Sequence, residues 1–399
     1  MRGLIVAGCA VLASLLAPSD PETTFLITGN FRGYLSPCGC TKPMSGGIRR
    51  LATVVRDLRQ ESTVLLCSAN SVVEAGRQSE LKVDAVLDVM KELRADAMAL
   101  GSGDAVLGTA YWRGAQTRTG LLIQSEIDEA SLANPSAEAA GWQILALGDR
   151  AGSLRTRLGA GPGLALDSHP RQVVLFEGSL EAAKARNEDV KAALVVYETD
   201  GSTPPATVIQ DGTAYVSPGS QGRSVLVVRM RGNRYLSATA VSLGPDVADD
   251  AAVTQVFQRY LKRVTTEGLL DAIPRSGSAG YVGNRTCQSC HSPAKSVWQH
   301  SKHAQALKTL EAVNQDRDPD CVGCHVVGLT AKDGFQSRKK TPNMTDVGCE
   351  SCHGAGKAHV KSPKRSPMPK VGSKSCANCH TPPHSPNFEF EAYWKRIKH

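Results

Sequence analysis

The sequence predicts an α/β region followed by a small, mostly helical region with too few apolar side chains to form a core of its own. Apolar strand-like runs alternate with amphipathic helical runs over residues 22–246, as expected of a sheet covered by helices. Eight of the 12 cysteines and nine of the 10 histidines lie after residue 280. Cysteine and histidine are the usual protein ligands of transition metals and metallocofactors. We therefore expect the last third of the chain to bind metal or a metallocofactor.

The first residues have the pattern of a secretory signal, which we assign to 1–19. Arg2 precedes a run of about 14 apolar or small residues, too short for the roughly 20 that cross a membrane. Ala17-Pro18-Ser19 then provides a small-residue cleavage site. We expect export to the periplasm or otherwise out of the cytoplasm. In the alternative, Cys9 is the lipidated cysteine of a bacterial lipoprotein, and only then do we expect membrane anchoring.

Periodicity places the elements of the α/β region in chain order. Period-2 apolar runs predict strands and period-3.6 runs predict helices. The predicted elements are a strand at 24–28, a helix at 46–60, strands at 63–67 and 97–100 around a helix at 80–95, and later strands at 193–197 and 224–228. A connecting helix at 247–270 and a Gly- and Ser-containing linker complete 247–280, so we place the domains at 22–246 and 281–399.

Four Cys-x-x-Cys-His motifs occupy the last region, and every Cys-x-x-Cys of the chain is followed by His. Two thiols three positions apart can add to the two vinyl groups of a haem, and the adjacent imidazole then binds the iron. Zinc sites or a disulfide framework would leave the four histidines unexplained. The motifs predict four covalently attached haems c, bound through Cys287, Cys290 and His291; Cys321, Cys324 and His325; Cys349, Cys352 and His353; and Cys376, Cys379 and His380.

The last 120 residues also resemble the tetrahaem cytochrome c-554 family. The resemblance lies in Trp298-Gln299-His300-Ser301-Lys302-His303-Ala304, in the segment 347–359 and in the terminal segment 393–399. It implies that His303, His359 and His399 are distal iron ligands. It also implies that the second motif lacks one, which would leave the haem on His325 five-coordinate. His300, His384 or Met344 are alternative ligands for that position.

The segment 24–243 resembles calcineurin-like metallophosphatases of the 5'-nucleotidase type, which implies an α/β sandwich. The resemblance is carried by the segments 28–35, 46–50, 101–104 and 216–223. The positions that bind two metals in this family hold other residues here, namely Asn30, Arg32, Ala69, Asn70, Ser102 and Gly103. We therefore expect the fold without the hydrolytic chemistry.

Three further cysteines lie in this region. Cys38 and Cys40 form a Cys-x-Cys, and Cys67 ends the second predicted strand. In an exported protein they are interpreted as a disulfide, from Cys38 or Cys40 to Cys67, or as buried thiols. The other hypothesis is a metal or redox site near a haem.

Charge gives an expectation about partners. Residues 281–399 carry 18 Lys or Arg and nine Asp or Glu, a net of +9. Such a surface would steer acidic redox proteins towards the haems, whereas no aromatic residues are interleaved for nucleic-acid stacking. The sequence thus predicts a protein that transfers electrons between redox partners and has no catalytic residues. The alternative is a redox enzyme that reduces a small nitrogen or sulfur oxide at an open haem.

Overall fold

In the computed structural model, residues 20–37, 44–72, 74–121, 123–124, 136–148, 171–382, 384–385 and 387–399 are described. The predicted leader with Cys9, and also Cys38 and Cys40, lie outside these residues. No helix among the described residues has the length and apolar character needed to cross a membrane.

Two six-stranded mixed sheets form the first region. The first sheet has the order β12-β11-β1-β2-β3-β4, with β1 to β4 parallel. Its strands are β1 (Glu22–Gly29), β2 (Thr63–Ser68), β3 (Ala97–Ala99), β4 (Ile123–Gln124), β11 (Ser224–Arg231) and β12 (Arg234–Ser242). The second sheet has the order β5-β6-β7-β8-β10-β9. Its strands are β5 (Ser136–Ala139), β6 (Trp142–Gly148), β7 (Gln172–Glu177), β8 (Leu194–Val196), β9 (Val208–Gln210) and β10 (Thr213–Val216).

Helices cover the outer face of each sheet. The described helices of this region are α1 (Ile48–Leu58), α2 (Arg77–Glu92), α3 (Thr109–Thr119), α4 (Leu180–Val190) and α5 (Ala251–Thr266), with a 3₁₀ turn at Asp104–Leu107. In β1, Phe25 and Ile27 face the second sheet while Leu26 faces the helices, because successive strand side chains point to opposite faces. The layers are therefore helix, sheet, sheet and helix, and the predicted α/β class is confirmed.

The core between the sheets is apolar and contains an aromatic pair. Phe25 and Trp142 pack edge to face with ring centroids 5.1 Å apart, and the Trp142 indole N–H donates to Thr23 Oγ1 at 3.2 Å. A second cluster joins the first sheet to α1, α2 and α5 through residues such as Leu51, Val86 and Phe257. Helix α5 thus packs on the same cluster as α1 and α2.

The C-terminal region consists of short helices joined by turns, as the predicted helical class requires. They are α6 (Asn284–Gln288), α7 (Ser292–Gln299), α8 (Ala306–Glu311), α9 (Pro319–His325), α10 (Cys349–His353), α11 (Lys357–Lys361), α12 (Ser373–Ala377) and α13 (Phe390–Trp394), with 3₁₀ turns at Lys302–Gln305 and Pro342–Met344. One small apolar cluster surrounds α9 and includes Leu270, Leu307, Val322 and Phe335. Five-residue helices are not stable by themselves, so this region needs support from something other than its own side chains.

Candidate haem-binding region

Each motif lies on or directly after a short helix that presents its two thiols from one turn. Helices α9 and α10 contain the whole second and third motifs, whereas α6 and α12 lead into the first and fourth. In the first motif the N–H groups of Cys290 and His291 both donate to the Cys287 carbonyl, at 3.2 and 3.1 Å. None of the eight motif cysteines forms a disulfide, and none of them is fully buried. Both thiols of a motif are therefore accessible to one macrocycle.

The folded chain brings three proximal histidines opposite three other imidazoles. The ring centroids are 6.1 Å apart for His291 and His359, 6.3 Å for His380 and His303, and 5.8 Å for His353 and His399. Metal–imidazole bonds are about 2 Å long, and a centroid lies about 1 Å behind its nitrogen, so two imidazoles on one metal have centroids about 6 Å apart. The three pairs thus fit a metal between them.

The pKa shifts of three of these rings also suit metal binding. Burial lowers the pKa of His303, and the neighbouring rings of His380 and His325 lower it further. Burial likewise lowers the pKa of His353 and of His380. A metal binds neutral imidazole, so these side chains are held in the form that an iron needs.

His325 is arranged differently. Its Nδ1 lies 2.6 Å from the Ala306 carbonyl oxygen, a contact that fixes the ring and leaves Nε2 for a metal. The ring contacts of the described residues pair the other three proximal histidines and leave His325 without a facing imidazole. The second motif thus differs from the other three in the surroundings of its histidine.

The alternative ligands for this position have other contacts. His300 Nδ1 lies 2.7 Å from the Ser296 carbonyl oxygen on an exposed ring. His384 has partners at both ring nitrogens, Thr381 Oγ1 at 2.8 Å and the Tyr34 hydroxyl at 3.5 Å. Met344 is buried in the apolar cluster of α9. Each of the three is thus engaged with other groups in the described structure.

The motifs also lie against one another. The thiols of Cys287 and Cys349 lie close enough to interact, as do those of Cys324 and Cys379. Cys352 and Cys376 are close enough to interact electrostatically. The first motif therefore adjoins the third, the third adjoins the fourth, and the fourth adjoins the second.

The positions expected to have lost metal ligands lie together at the ends of β1, β2 and β3. Asn30 Nδ2 donates to the Thr199 carbonyl at 3.1 Å, and Asn70 uses both ends of its amide, on Gly103 N–H and on Glu198 Oε2. Arg32 forms an ion pair with Asp200 at 3.1 Å. Asn30, Arg32 and Asn70 adopt positive φ values of 47°, 51° and 61°, which are uncommon for residues other than glycine.

Two carboxylates that the sequence analysis did not single out organise these loops. Asp104 accepts hydrogen bonds from the N–H groups of Asn70 at 2.7 Å and Gly101 at 3.0 Å. Burial raises the pKa of Asp104 to about 7, against the effect of these backbone donors. Burial also raises the pKa of Glu198 to about 7, although Asn70 donates to it. Asp104 is the last residue of the segment 101–104, and no sequence motif marks Glu198.

Cys67 is a free thiol, so the disulfide expected from it is not formed. It lies fully buried in β2 on the face that packs against the helices, and burial raises the pKa of the thiol. A thiol in this setting packs as a small apolar side chain and is chemically inert.

Comparison with known proteins agrees with the motif geometry. Residues 286–354 match the model of the family Cytochrome c554 and c-prime. Cytochrome c-554 of Nitrosomonas europaea is 31% identical over 139 residues, a match that covers 26% of this chain and 59% of that protein. The multiheme cytochrome MtrA of Shewanella baltica is 32% identical over 100 residues, and the match covers 25% of each chain. The chain thus spans less than two thirds of either relative.

Among solved structures, the fold is similar to a 5'-nucleotidase precursor of Thermus thermophilus at 17% identity, with a TM-score of 0.47 over 73% of this chain and 68% of the other. The sulfate thiohydrolase SoxB of the same species gives a TM-score of 0.48 at 13% identity, over 63% of this chain and 62% of that chain. The family match and the curated relatives concern the last part of the chain. This part of the chain is therefore similar in sequence to the cytochrome c554 family.

Proposed function

We propose that this chain is an exported cytochrome that carries four haems c and relays electrons between redox partners, with its α/β region as a scaffold that has no phosphatase chemistry. The observation that carries the proposal is the set of three imidazole pairs at 5.8–6.3 Å beside three of the four attachment motifs. The eight motif cysteines, from Cys287 to Cys379, would hold the haems by thioether bonds, and His291, His325, His353 and His380 would be the proximal ligands. His359, His303 and His399 would be the distal ligands of the first, fourth and third haems. Bound haem supplies one-electron oxidation and reduction.

Contacts between the motifs support one order for the proposed relay. The first and third motifs have interacting thiols, and so do the second and fourth motifs. Cys352 of the third motif also interacts with Cys376 of the fourth. A chain of cofactors in the order second, fourth, third and first follows from these contacts. Electrons would enter and leave at the two ends of this order, because those motifs each have one neighbour instead of two.

The number of haems is tested by mass spectrometry under denaturing conditions. We expect four haem masses on the polypeptide, since thioether bonds survive denaturation. A variant with Cys376→Ala and Cys379→Ala should carry three. Two or fewer on the unaltered chain, or zinc in their place, would overturn the proposal.

One observation favours a second candidate function, reduction of a small nitrogen or sulfur oxide at an open haem. His325 has its Nδ1 fixed by Ala306 and has no facing imidazole among the described residues. Ferric EPR should show about one high-spin haem in four, to which nitric oxide binds. A fully low-spin spectrum that becomes one-quarter high-spin in His384→Ala would transfer the ligand role to His384 and leave electron relay as the only function.

The α/β region should not hydrolyse phosphoesters. Asn30, Arg32 and Asn70 are engaged with Thr199, Asp200 and Glu198, and neutral amides and a guanidinium cannot replace the carboxylates and imidazoles of two metal sites. Assays of the full chain with Mg²⁺ or Mn²⁺ and a nucleotide or generic phosphoester test this. Metal-dependent turnover that an Asn30→Ala variant lacks would contradict it.

The partners we propose are acidic redox proteins. The basic side chains of the haem region include exposed ones, among them Lys339, Lys340, Lys361, Lys364 and Lys374. Long-range attraction of this kind weakens with salt, since the screening length is about 10 Å at 0.1 M. We expect association rates with an acidic partner to fall steeply with ionic strength. An association rate that does not change with ionic strength would contradict electrostatic docking.

Export and anchoring are tested by cell fractionation. We expect the mature chain in the periplasmic fraction, in agreement with the need of c-type cytochromes for maturation outside the cytoplasm. Recovery in a membrane fraction that is lost in Cys9→Ala would instead show the lipoprotein alternative.

A further inference from the structure

The haem motifs are not all held in the same way by the rest of the chain. The third motif is fixed from within the C-terminal region, where Glu350 accepts hydrogen bonds from the N–H groups of Gly283 and Gly356, both at 2.7 Å. The helix of the second motif, α9, is instead capped by Asp318, whose side chain accepts hydrogen bonds from residues of the α/β region. This motif is also the one whose histidine lacks a facing imidazole among the described residues.

Asp318 is the centre of a buried network. It is 5% exposed, and its two carboxylate oxygens accept hydrogen bonds from Gln78 Nε2 at 2.6 Å and from the Tyr260 hydroxyl at 2.9 Å. Gln78 Nε2 also lies 3.1 Å from the Tyr260 hydroxyl oxygen. Gln78 belongs to α2 and Tyr260 to α5, so two helices of the α/β region converge on one carboxylate.

The same carboxylate caps the motif helix. Asp318 Oδ1 accepts a hydrogen bond from the Asp320 N–H at 3.1 Å, which satisfies a donor that the first turn of a helix leaves free. The N–H groups of Cys321 and Val322 donate to the Asp318 carbonyl. Lys82 of α2 forms an ion pair with Asp320 in the same turn. The position of α9 is therefore fixed at its start by α2 and α5.

The anchor and the proximal ligand lie at the two ends of one short helix. Cys321, Cys324 and His325 all lie on α9, which Asp318 directly precedes, and the imidazole is fixed at the other end by the Ala306 carbonyl at 2.6 Å. A displacement of Asp318 is thus transmitted along the helix to both thiols and the ring. A buried carboxylate close to a haem also stabilises its more positive ferric form.

We propose that Tyr260 and Gln78 are positioning residues that act through Asp318 to set the coordination and the reduction potential of the haem on the second motif. The α/β region then tunes the properties of this one haem, in addition to serving as a scaffold. The inference rests on the proposed function in that it takes a haem to be bound at the second motif. The other three haems have no part in it.

The test compares full-length holoproteins. Asp318→Asn keeps a capping oxygen but removes the charge, and we expect it to raise one of the four midpoint potentials. Tyr260→Phe keeps the charge but removes a donor, and we expect it to shift the same potential and to change the high-spin ferric EPR signal. Tyr235→Phe is the matched control, because this hydroxyl contacts Thr207 in the α/β region, and all four potentials should stay unchanged.

The outcomes separate the inference from the proposed function. A high-spin haem whose potential and EPR signal are the same in Asp318→Asn, Tyr260→Phe and the control would overturn the inference and leave the open haem intact. A chain without any high-spin haem would overturn the open site. In that case the inference still predicts that Asp318→Asn raises the midpoint potential of one of the four low-spin haems. The inference is wrong if no midpoint potential changes.

Discussion

The α/β region buries three clusters of its own side chains, including Phe25, Leu65 and Trp142, whereas the described part of the C-terminal region has one small cluster beside α9. The described helices of the C-terminal region are five to eight residues long, against 11 to 16 for those of the α/β region. Burial of apolar area is the main force that holds a fold together. We therefore infer that the α/β region is stabilised by its own side chains, and we expect the C-terminal region to be stabilised by bound haem.

The largest effect on folding is expected when the haems are not attached. When the chain is produced without cytochrome c maturation, we expect residues 281–399 to be unfolded while the α/β region stays folded. The physical reason is that short helices without a core do not persist in water. Limited proteolysis followed by mass spectrometry should return a fragment that ends near residue 280. A C-terminal region that resists the protease without haem would contradict the conclusion that haem stabilises it.

The next effect concerns the core between the sheets. Trp142 is 1% exposed and packs against Phe25, so Trp142→Ala should lower the free energy of unfolding of the α/β region by about 3–5 kcal/mol. Denaturant titration measures this loss.

Trp394→Ala is the matched variant in the haem region, where the ring is only partly buried and stacks on Phe390. We expect it to leave the transition of the α/β region unchanged. An equal loss in the two variants would mean that the regions unfold as one unit.

The stability of the α/β region should depend on pH through a buried carboxylate. The pKa of Glu198 is raised from 4.5 to about 7 by burial, so the folded state holds a proton that the unfolded chain has released. Stability should therefore fall as the pH rises from about 4.5 to 7. Glu198→Gln keeps an acceptor for Asn70 without the charge, and we expect it to reduce this fall by about 3 kcal/mol. Thermal melts between pH 4.5 and 8 check it, and an unchanged slope would contradict the assignment.

The smallest effect is expected at an exposed ion pair. The Asp200 side chain is 96% exposed beside Arg32, and such pairs contribute about 0–1 kcal/mol. Asp200→Ala should change the free energy of unfolding by less than about 1 kcal/mol. A larger loss in the same denaturant titration would show that the loop needs this contact.

Elements with strong periodicity could be predicted from the sequence. The strands expected at 24–28 and 63–67 are Glu22–Gly29 and Thr63–Ser68, and the helix expected at 46–60 is Ile48–Leu58. Strands β6 and β7 were not predicted, although both are largely apolar and buried. A short apolar run without alternation does not distinguish a buried strand from a buried helix.

Haem attachment is chemistry that the sequence determines by itself, because two thiols and an imidazole within five residues meet on one helical turn whatever surrounds them. The histidine that faces a proximal histidine depends on the tertiary structure. His291 faces His359, His303 faces His380 and His353 faces His399, pairs that are 68, 77 and 46 residues apart in the sequence. The anchoring of Asp318 by Gln78 and Tyr260 is likewise a contact between distant segments. No local pattern specifies such contacts, because they form only when the packing of the whole chain brings the segments together.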